Sequence, residues 1–502
     1  MILNTLASAS IDALLLMLFW TPGILAARLM GLRAPQDTVV VGFLISTAAA
    51  TSYFLVQFAF GFEDTFLWAS RAIFALIAVL GFFFARKHLA NFHRDVGVAI
   101  ALVGFGVGTR NVLKVDGWMH GYDHVVTVLA ASLIQTGDLS DQTISEAVYK
   151  KGLAIPVLLA VGQQELLLGA VIPIVFVLTL IASFRMARVL QPEASKIVVV
   201  LVWLFAISIW WSTPMFWGFA FYQHGHVLVA LCVTVMTAVL GRIYWEKKVA
   251  LADFAIFSIA GFVLAQARFE AFLVALIMAV AFICLSDYSQ SVRKQFLIRL
   301  TVTFAPILGF TSWTLILGSF PVAGVSATLV AVLLSGGAVL LAFVSNFSRA
   351  LRRVVFYLVG GSVVVGAAAF LRFYQNGLSG QSFVENMFGA SGSWGATWWL
   401  VSLASLVLLI SRPSRMNTLI MWLFFSLLAF SVLGKFLDSL GTGGGIRSGW
   451  GDSVNRSVFH LFGLATAVAV LALAEGVRVV RGVVSSVLRR RSTRDFSETG
   501  NQ

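Results

Sequence analysis

Runs of apolar residues recur along the whole chain, each long enough to cross roughly 30 Å of hydrocarbon as a helix, and each ends in a short polar or charged stretch. Read as helices they fall near residues 10–30, 38–60, 66–86, 95–112, 165–187, 196–213, 225–245, 251–267, 269–286, 300–318, 322–345, 353–371, 397–411, 416–433 and 457–477. The prediction is an all-α polytopic membrane protein with about fifteen transmembrane helices. Residues 125–163 break the pattern. The run 152–163 is too short to cross and follows Lys150 and Lys151, so this segment is expected to form amphipathic helices lying along the outer surface, within the first long outer loop.

Composition fits this reading: 59% of residues are hydrophobic, 11% are charged, and the mean hydropathy is +0.93. The net charge of +13 comes from short Lys and Arg clusters between apolar runs, which orient helices toward the cytoplasm, and nucleic acid is not an expected partner. With the N-terminus outside, the clusters Arg28/Arg33, Arg86/Lys87/Arg94, Arg185/Arg188/Lys196, Arg242/Lys247/Lys248, Arg293/Lys294/Arg299, Arg349/Arg352/Arg353, Arg412/Arg415 and Arg489–Arg491 all fall inside. No basic residue precedes the first apolar run, the charge order of a retained helix rather than a cleaved leader. Cys232 and Cys284 lie inside apolar runs, so no disulfide framework is expected.

The same topology gathers Asp116, His120, Asp123, His124, Lys150, Lys151, His224, His226, Arg268, Glu270, Arg372, Glu385, Lys435, Asp438, Arg447, Asp452, Arg456 and His460 on the outer side. Five of the seven histidines are in that set, and acids, imidazoles and cations mixed on one face suit a polar cavity better than a solvated rim. The densest stretch is Asp116-Gly117-Trp118-Met119-His120-Gly121-Tyr122-Asp123-His124. Arg268 and Glu270 join two runs of only about sixteen residues, each reaching about 24 Å at 1.5 Å per residue, so their turn is expected to be sunk among neighbouring helices. Such a pair is either a structural ion pair or an anion-binding cation held by its carboxylate.

Tyr122-Asp123-His124 is followed by Ala130-Ala131, then Thr136-Gly137-Asp138, then Tyr149-Lys150-Lys151-Gly152. That order and spacing resemble the GT-C glycosyltransferases, and most of all the protein O-mannosyltransferase and aminoarabinose transferase branch. His124 stands where that family has the second acid of an Asp-Glu pair, and the usually proline-rich segment keeps only Pro156. The resemblance implies a GT-C-like fold and a polyprenyl-phosphate-linked sugar as donor. It divides the chain into accessory helices at 1–94, a catalytic core at 95–480 with its catalytic outer loop at 111–164, and a basic tail at 481–502.

Carried over by position, the resemblance implies Asp123 as the general base that takes the proton of an acceptor hydroxyl, with Asp116 as the alternative. Lys150 and Lys151 match the family's cationic position beside the donor phosphate, and topology adds Arg268, Arg372, Arg447 and Arg456. The loop Gly441–Arg456 combines glycines, two arginines, Trp450 as a stacking face for a sugar, and Asp452. His120, His124, His224, His226 and Glu270 are further candidates for contact with substrate. His120 and His124 lie one helical turn apart and His224-Gly225-His226 sits on another outer loop, so these four with Asp116 or Asp123 are also the candidate ligands of a divalent metal, the one cofactor the sequence suggests, with metal dependence left open.

The expected function is transfer of the sugar, by direct displacement, to a glycan, lipid or protein acceptor outside the cytoplasm. No phosphate-loop pattern and no stretch polar enough for a soluble α/β domain is present, which favours a lipid-linked donor over a nucleotide sugar. Two alternatives remain open: a lipid or glycan flippase or transporter, and a glycan polymerase or ligase of similar architecture. The expected location is a bacterial cytoplasmic membrane, among its lipids, with the active site facing the periplasm or exterior.

Overall fold

The computed structural model describes residues 2–61, 66–84, 91–113, 122–136, 152–162, 164–220, 225–268, 270–285, 292–317, 336, 349–373, 379–389, 394–411, 414–442 and 457–498. Among the described residues all extended regular structure is α-helical: α1 Ile2–Leu29, α2 Pro35–Ala59, α3 Phe66–Phe84, α4 Phe92–Leu113, α5 Tyr122–Thr136, α6 Ala154–Ala160, α7 Gln164–Leu190, α8 Lys196–Trp211, α9 Pro214–Ala220, α10 His226–Glu246, α11 Leu251–Ala267, α12 Ala271–Leu285, α13 Val292–Leu317, α14 Arg349–Phe373, α15 Ser379–Phe388, α16 Thr397–Ile410, α17 Arg415–Thr442 and α18 Phe462–Glu498. Where the sequence reading places about fifteen spans, 6 described helices are long and apolar enough to cross a membrane, accompanied by shorter apolar helices of 10–17 residues. The span expected at 322–345 lies outside the described residues.

Helix α10 is the axis of the bundle. Its residues from His226 to Leu231 are all buried, and it packs against α7, α11, α12 and α18. A helix that is apolar all round must be enclosed on every side, and α10 is. The outer helices instead keep one apolar face open, with Ile197, Leu201, Leu204 and Phe205 exposed on α8 and Leu403, Leu406, Leu409 and Ile410 on α16. Exposed apolar stripes on helices of this composition face hydrocarbon, so this is an integral membrane protein.

Helix ends sort the charges. At one end of the bundle Arg28 pairs with Asp95, Arg185 with Asp37 at 2.5 Å, and Arg242 with Asp253. These arginines belong to the clusters that the sequence assigns to the inside, and each pair ties the end of one helix to the start of another. His226 opens α10 and Arg268 follows α11, so both lie at the opposite ends of the helices that carry Arg242 and Asp253. His226 and Arg242 are separated by about 24 Å of helix. The Arg268 region and the three ion pairs thus belong to opposite faces.

The first two helices cross closely. A Cβ on Gly42 would lie 2.7 Å from the Ile24 amide nitrogen, and one on Gly23 would collide with the Gly42 carbonyl oxygen. Gly42→Leu is expected to destabilise the protein by about 1–3 kcal/mol, as overpacking does in a filled interior. At Gly104 a Cβ meets nothing within 4 Å, so Gly104→Ala is expected to be neutral or stabilising by about 0.5–1 kcal/mol. Thermal dispersion in one detergent checks both; equal losses in the two variants would contradict the crossing.

The segment after α4 forms α5 and α6, as the sequence suggests, but α6 is not a surface element. All seven of its residues are buried, enclosed by α2, α5, α7 and α11. The reason is compositional: AIPVLLA has no polar face to turn outward, so enclosure by other helices is its stable placement.

Candidate functional site

Three chain segments converge on the turn after α11. The Leu153 N–H donates to the Gln266 carbonyl at 2.8 Å, which seats the lead-in of α6 on the last turn of α11. Gly152 has φ +76°, and a Cβ there would collide with the Ala267 carbonyl, so only glycine combines this backbone with so close an approach. A Cβ on Gly225, at the N-terminus of α10, would meet the same carbonyl. His226 is therefore carried directly against the Arg268 turn.

The third segment is the turn before α18. His460 donates its backbone N–H to the Ser457 carbonyl at 3.1 Å, and Phe459 and Phe462 on either side of it pack on Phe216 at centroid separations of 5.8 and 5.5 Å. Phe462 also meets Trp210 edge-on at 5.3 Å. This aromatic block fixes the height of the turn, and α18 packs against α10 at Gly463, where a Cβ would strike Thr234.

The result is a compact polar cluster. His226 Nδ1 lies 2.6 Å from His460 Nε2, one ring donating to the other, and the rings stack with centroids 4.8 Å apart at 29°. Both residues are buried, at 1% and 2% exposure. Glu270 joins them: one ligating atom from each of His226, Glu270 and His460 lies within 4.8 Å of the others. Arg268 donates its Nε–H to Glu270 Oε1, and the pair keeps 15% and 26% of its side-chain surface.

Electrostatics sharpen the picture. Burial pushes the His460 imidazole down to about 3; Glu270 pulls the other way, and Arg268 adds to the downward push. For Glu270 burial, the largest single influence, favours the neutral form, but the Arg268 charge and hydrogen bond, the His460 ring and a backbone hydrogen bond together hold the carboxyl below its usual range. Near neutral pH the cluster therefore presents a neutral His460 ring, a carboxylate and a guanidinium. Two residues at the end of α11 carry unmatched groups. Gln266 is fully buried with neither amide atom hydrogen-bonded, and the buried Nη1 of Arg268 has no acceptor. Buried donors and acceptors are satisfied almost everywhere in proteins, and unmatched buried atoms also occur away from this turn, at Ser258, Asn417 and Thr466 among others.

Of the residues singled out in the sequence, the structure brings together His226, Arg268 and Glu270. The Arg268–Glu270 pair lies between short helices of 17 and 15 residues. Asp123 and His124 lie in the first turn of α5 and Arg372 in the last turn of α14. Asp116, His120, Lys150, Lys151, His224, Arg447, Trp450, Asp452 and Arg456 lie outside the described residues. Two members of the cluster had no assigned role. His460 is 234 residues from His226, a separation no spacing rule reads, and Gln266 had one available signal, a lone amide at the end of an apolar run two residues before Arg268.

Compared with known protein families, curated proteins and solved structures, the chain matches none.

Proposed function

We propose that the protein is a membrane glycosyltransferase that takes a sugar from a polyprenyl-phosphate donor at the bundle face bearing Arg268 and passes it to an acceptor hydroxyl outside the cytoplasm. The observation that carries the reading is the seat of Gly152–Leu153 on Gln266–Ala267. Gly152, which closes the Tyr149-Lys150-Lys151-Gly152 stretch of the sequence, meets the end of α11 there, directly before the Arg268–Glu270 turn.

The chemistry asked of the site is specific. As the acceptor oxygen attacks the anomeric carbon, its proton passes to a carboxylate, the bond from that carbon to the phosphate oxygen breaks, and the lipid phosphate leaves as an anion. Asp123 is the proposed base, with Asp116 as the alternative. Arg268, oriented by Glu270 and with Nη1 unmatched, is the proposed cation for the departing phosphate, and Lys150 and Lys151 directly precede Gly152. A fixed guanidinium suits this role because it binds phosphate oxygens through a planar fork and needs little reorganisation as charge develops.

Asp123→Asn tests the assignment. Turnover of the lipid-linked donor is expected to fall by about 10²- to 10⁴-fold while donor binding is retained, since the base acts only as the acceptor attacks. Undiminished turnover with Asp116 intact transfers the role to Asp116; undiminished turnover with both replaced contradicts an aspartate base.

A further inference from the structure

We propose that His226, Glu270 and His460 form a binding site for one divalent transition-metal ion of the zinc type, with one coordination position open. The site differs from the histidine set that the sequence suggests, sharing only His226 with it. It also stands apart from the transferase reading, because it is built from described side chains alone and is tested with no sugar donor present.

The donor set selects the ion. Two imidazole nitrogens and one carboxylate oxygen suit zinc and its neighbours, whereas magnesium and calcium seek oxygen ligands. The three residues come from three separate places, the start of α10, the turn after α11 and the turn before α18, and their ligating atoms lie within 4.8 Å of one another. Glu270 accepts the Arg268 Nε–H at Oε1, and a ligating carboxylate oriented by a second hydrogen bond is the usual arrangement around protein-bound metals. Three protein ligands leave the fourth position for water or a substrate oxygen. The unmatched amide of Gln266 and Nη1 of Arg268 belong to residues bordering this turn, and groups of that kind are what an ion-bound water or phosphate oxygen would satisfy.

Ion entry changes the geometry in a definite way. The imidazole nitrogens stand 2.6 Å apart, as a hydrogen-bonded pair. Around a tetrahedral zinc with bonds of about 2.0–2.1 Å they must open to about 3.3 Å. The competing description is a structural imidazole pair that needs no ion, and it predicts no metal stoichiometry.

The experiment uses the full-length protein without a polyhistidine tag, stripped with chelator, dialysed against Zn²⁺ or Co²⁺, and measured by elemental mass spectrometry. The expected result is one ion per chain. Glu270→Gln and His460→Gln, which keep volume and hydrogen bonding, are expected to weaken retention by at least about tenfold, while His93→Ala, at an exposed histidine on α4, retains the ion. Where a variant does not fold, X-ray absorption of the zinc-loaded wild type decides: two imidazoles per ion support the site, and none or one overturns it. No ion above background in the wild type, or full retention in folded Glu270→Gln and His460→Gln, also overturns the proposal.

Discussion

Arg268→Ala is expected to reduce transfer from a lipid-phosphate-linked sugar by about 10²- to 10³-fold, the range seen when a preorganised donor facing developing charge is removed. Arg268 meets the geometric demands of that role. Its Nε is anchored to Glu270, its Nη1 is buried and unmatched, and the neighbouring His460 ring is neutral near pH 7 and does not compete for an anion. The pair keeps 15% and 26% of its side-chain surface, so loss of the guanidinium is expected to cost only about 1–3 kcal/mol of stability. Loss of activity in a folded protein is therefore the distinguishing result. Arg268→Lys should recover charge but not the planar fork, and is expected to stand between wild type and Arg268→Ala. Steady-state turnover of the variants, with folding checked by monodisperse elution, measures this; equal turnover in Arg268→Ala and wild type removes Arg268 from the mechanism.

The second large effect is on stability and belongs to the other end of the bundle. Asp95 is fully buried, and Arg28 donates to both of its oxygens, with the Nη2 contact at 2.6 Å. Arg28 also secures the connection between α1 and α2 through Nη1, which donates to the Leu32 and Arg33 carbonyls at 3.2 and 2.9 Å. Asp95→Ala leaves a guanidinium with 7% exposure and no counter-charge, and is expected to destabilise by about 3–5 kcal/mol. Replacing both partners, Asp95→Ala with Arg28→Met, removes the stranded charge and is expected to recover most of that loss, apart from the two hydrogen bonds to the α1–α2 connection. Thermal dispersion in detergent reads the difference. A single variant as stable as wild type contradicts the burial, and a double variant no better than the single contradicts the charge argument. Neither variant is expected to alter turnover per folded molecule, because this pair lies about a full helix length from Arg268.

How far the sequence was legible differs between these two ends. Inside clusters such as Arg28 and Arg185 were placed by charge alternation, and the structure finds them at one end of the bundle, each tied to a carboxylate that opens a neighbouring helix. The short helices on either side of Arg268 and Glu270 were legible from run length, a local property. The enclosure of α6 did not. Its shortness was visible, but whether seven apolar residues lie on a surface or inside a bundle depends on what surrounds them. The pairing of His226 with His460 was also hidden, because it arises from packing of α18 against α10 around Gly463 and the aromatic block at Phe216, which are tertiary facts with no periodicity along the chain.

The most direct test of a lipid-phosphate sugar transferase is to incubate the purified protein in nanodiscs with a panel of polyprenyl-phosphate-linked sugars and a membrane glycan and lipid extract as acceptor, and to follow free polyprenyl phosphate by mass spectrometry. Release of the free lipid phosphate from one class of donor by wild type, and its loss in Arg268→Ala and Asp123→Asn, is the predicted result. No release from any donor, together with movement of intact lipid-linked sugar across a sealed bilayer containing the protein, would contradict it and make the protein a transporter.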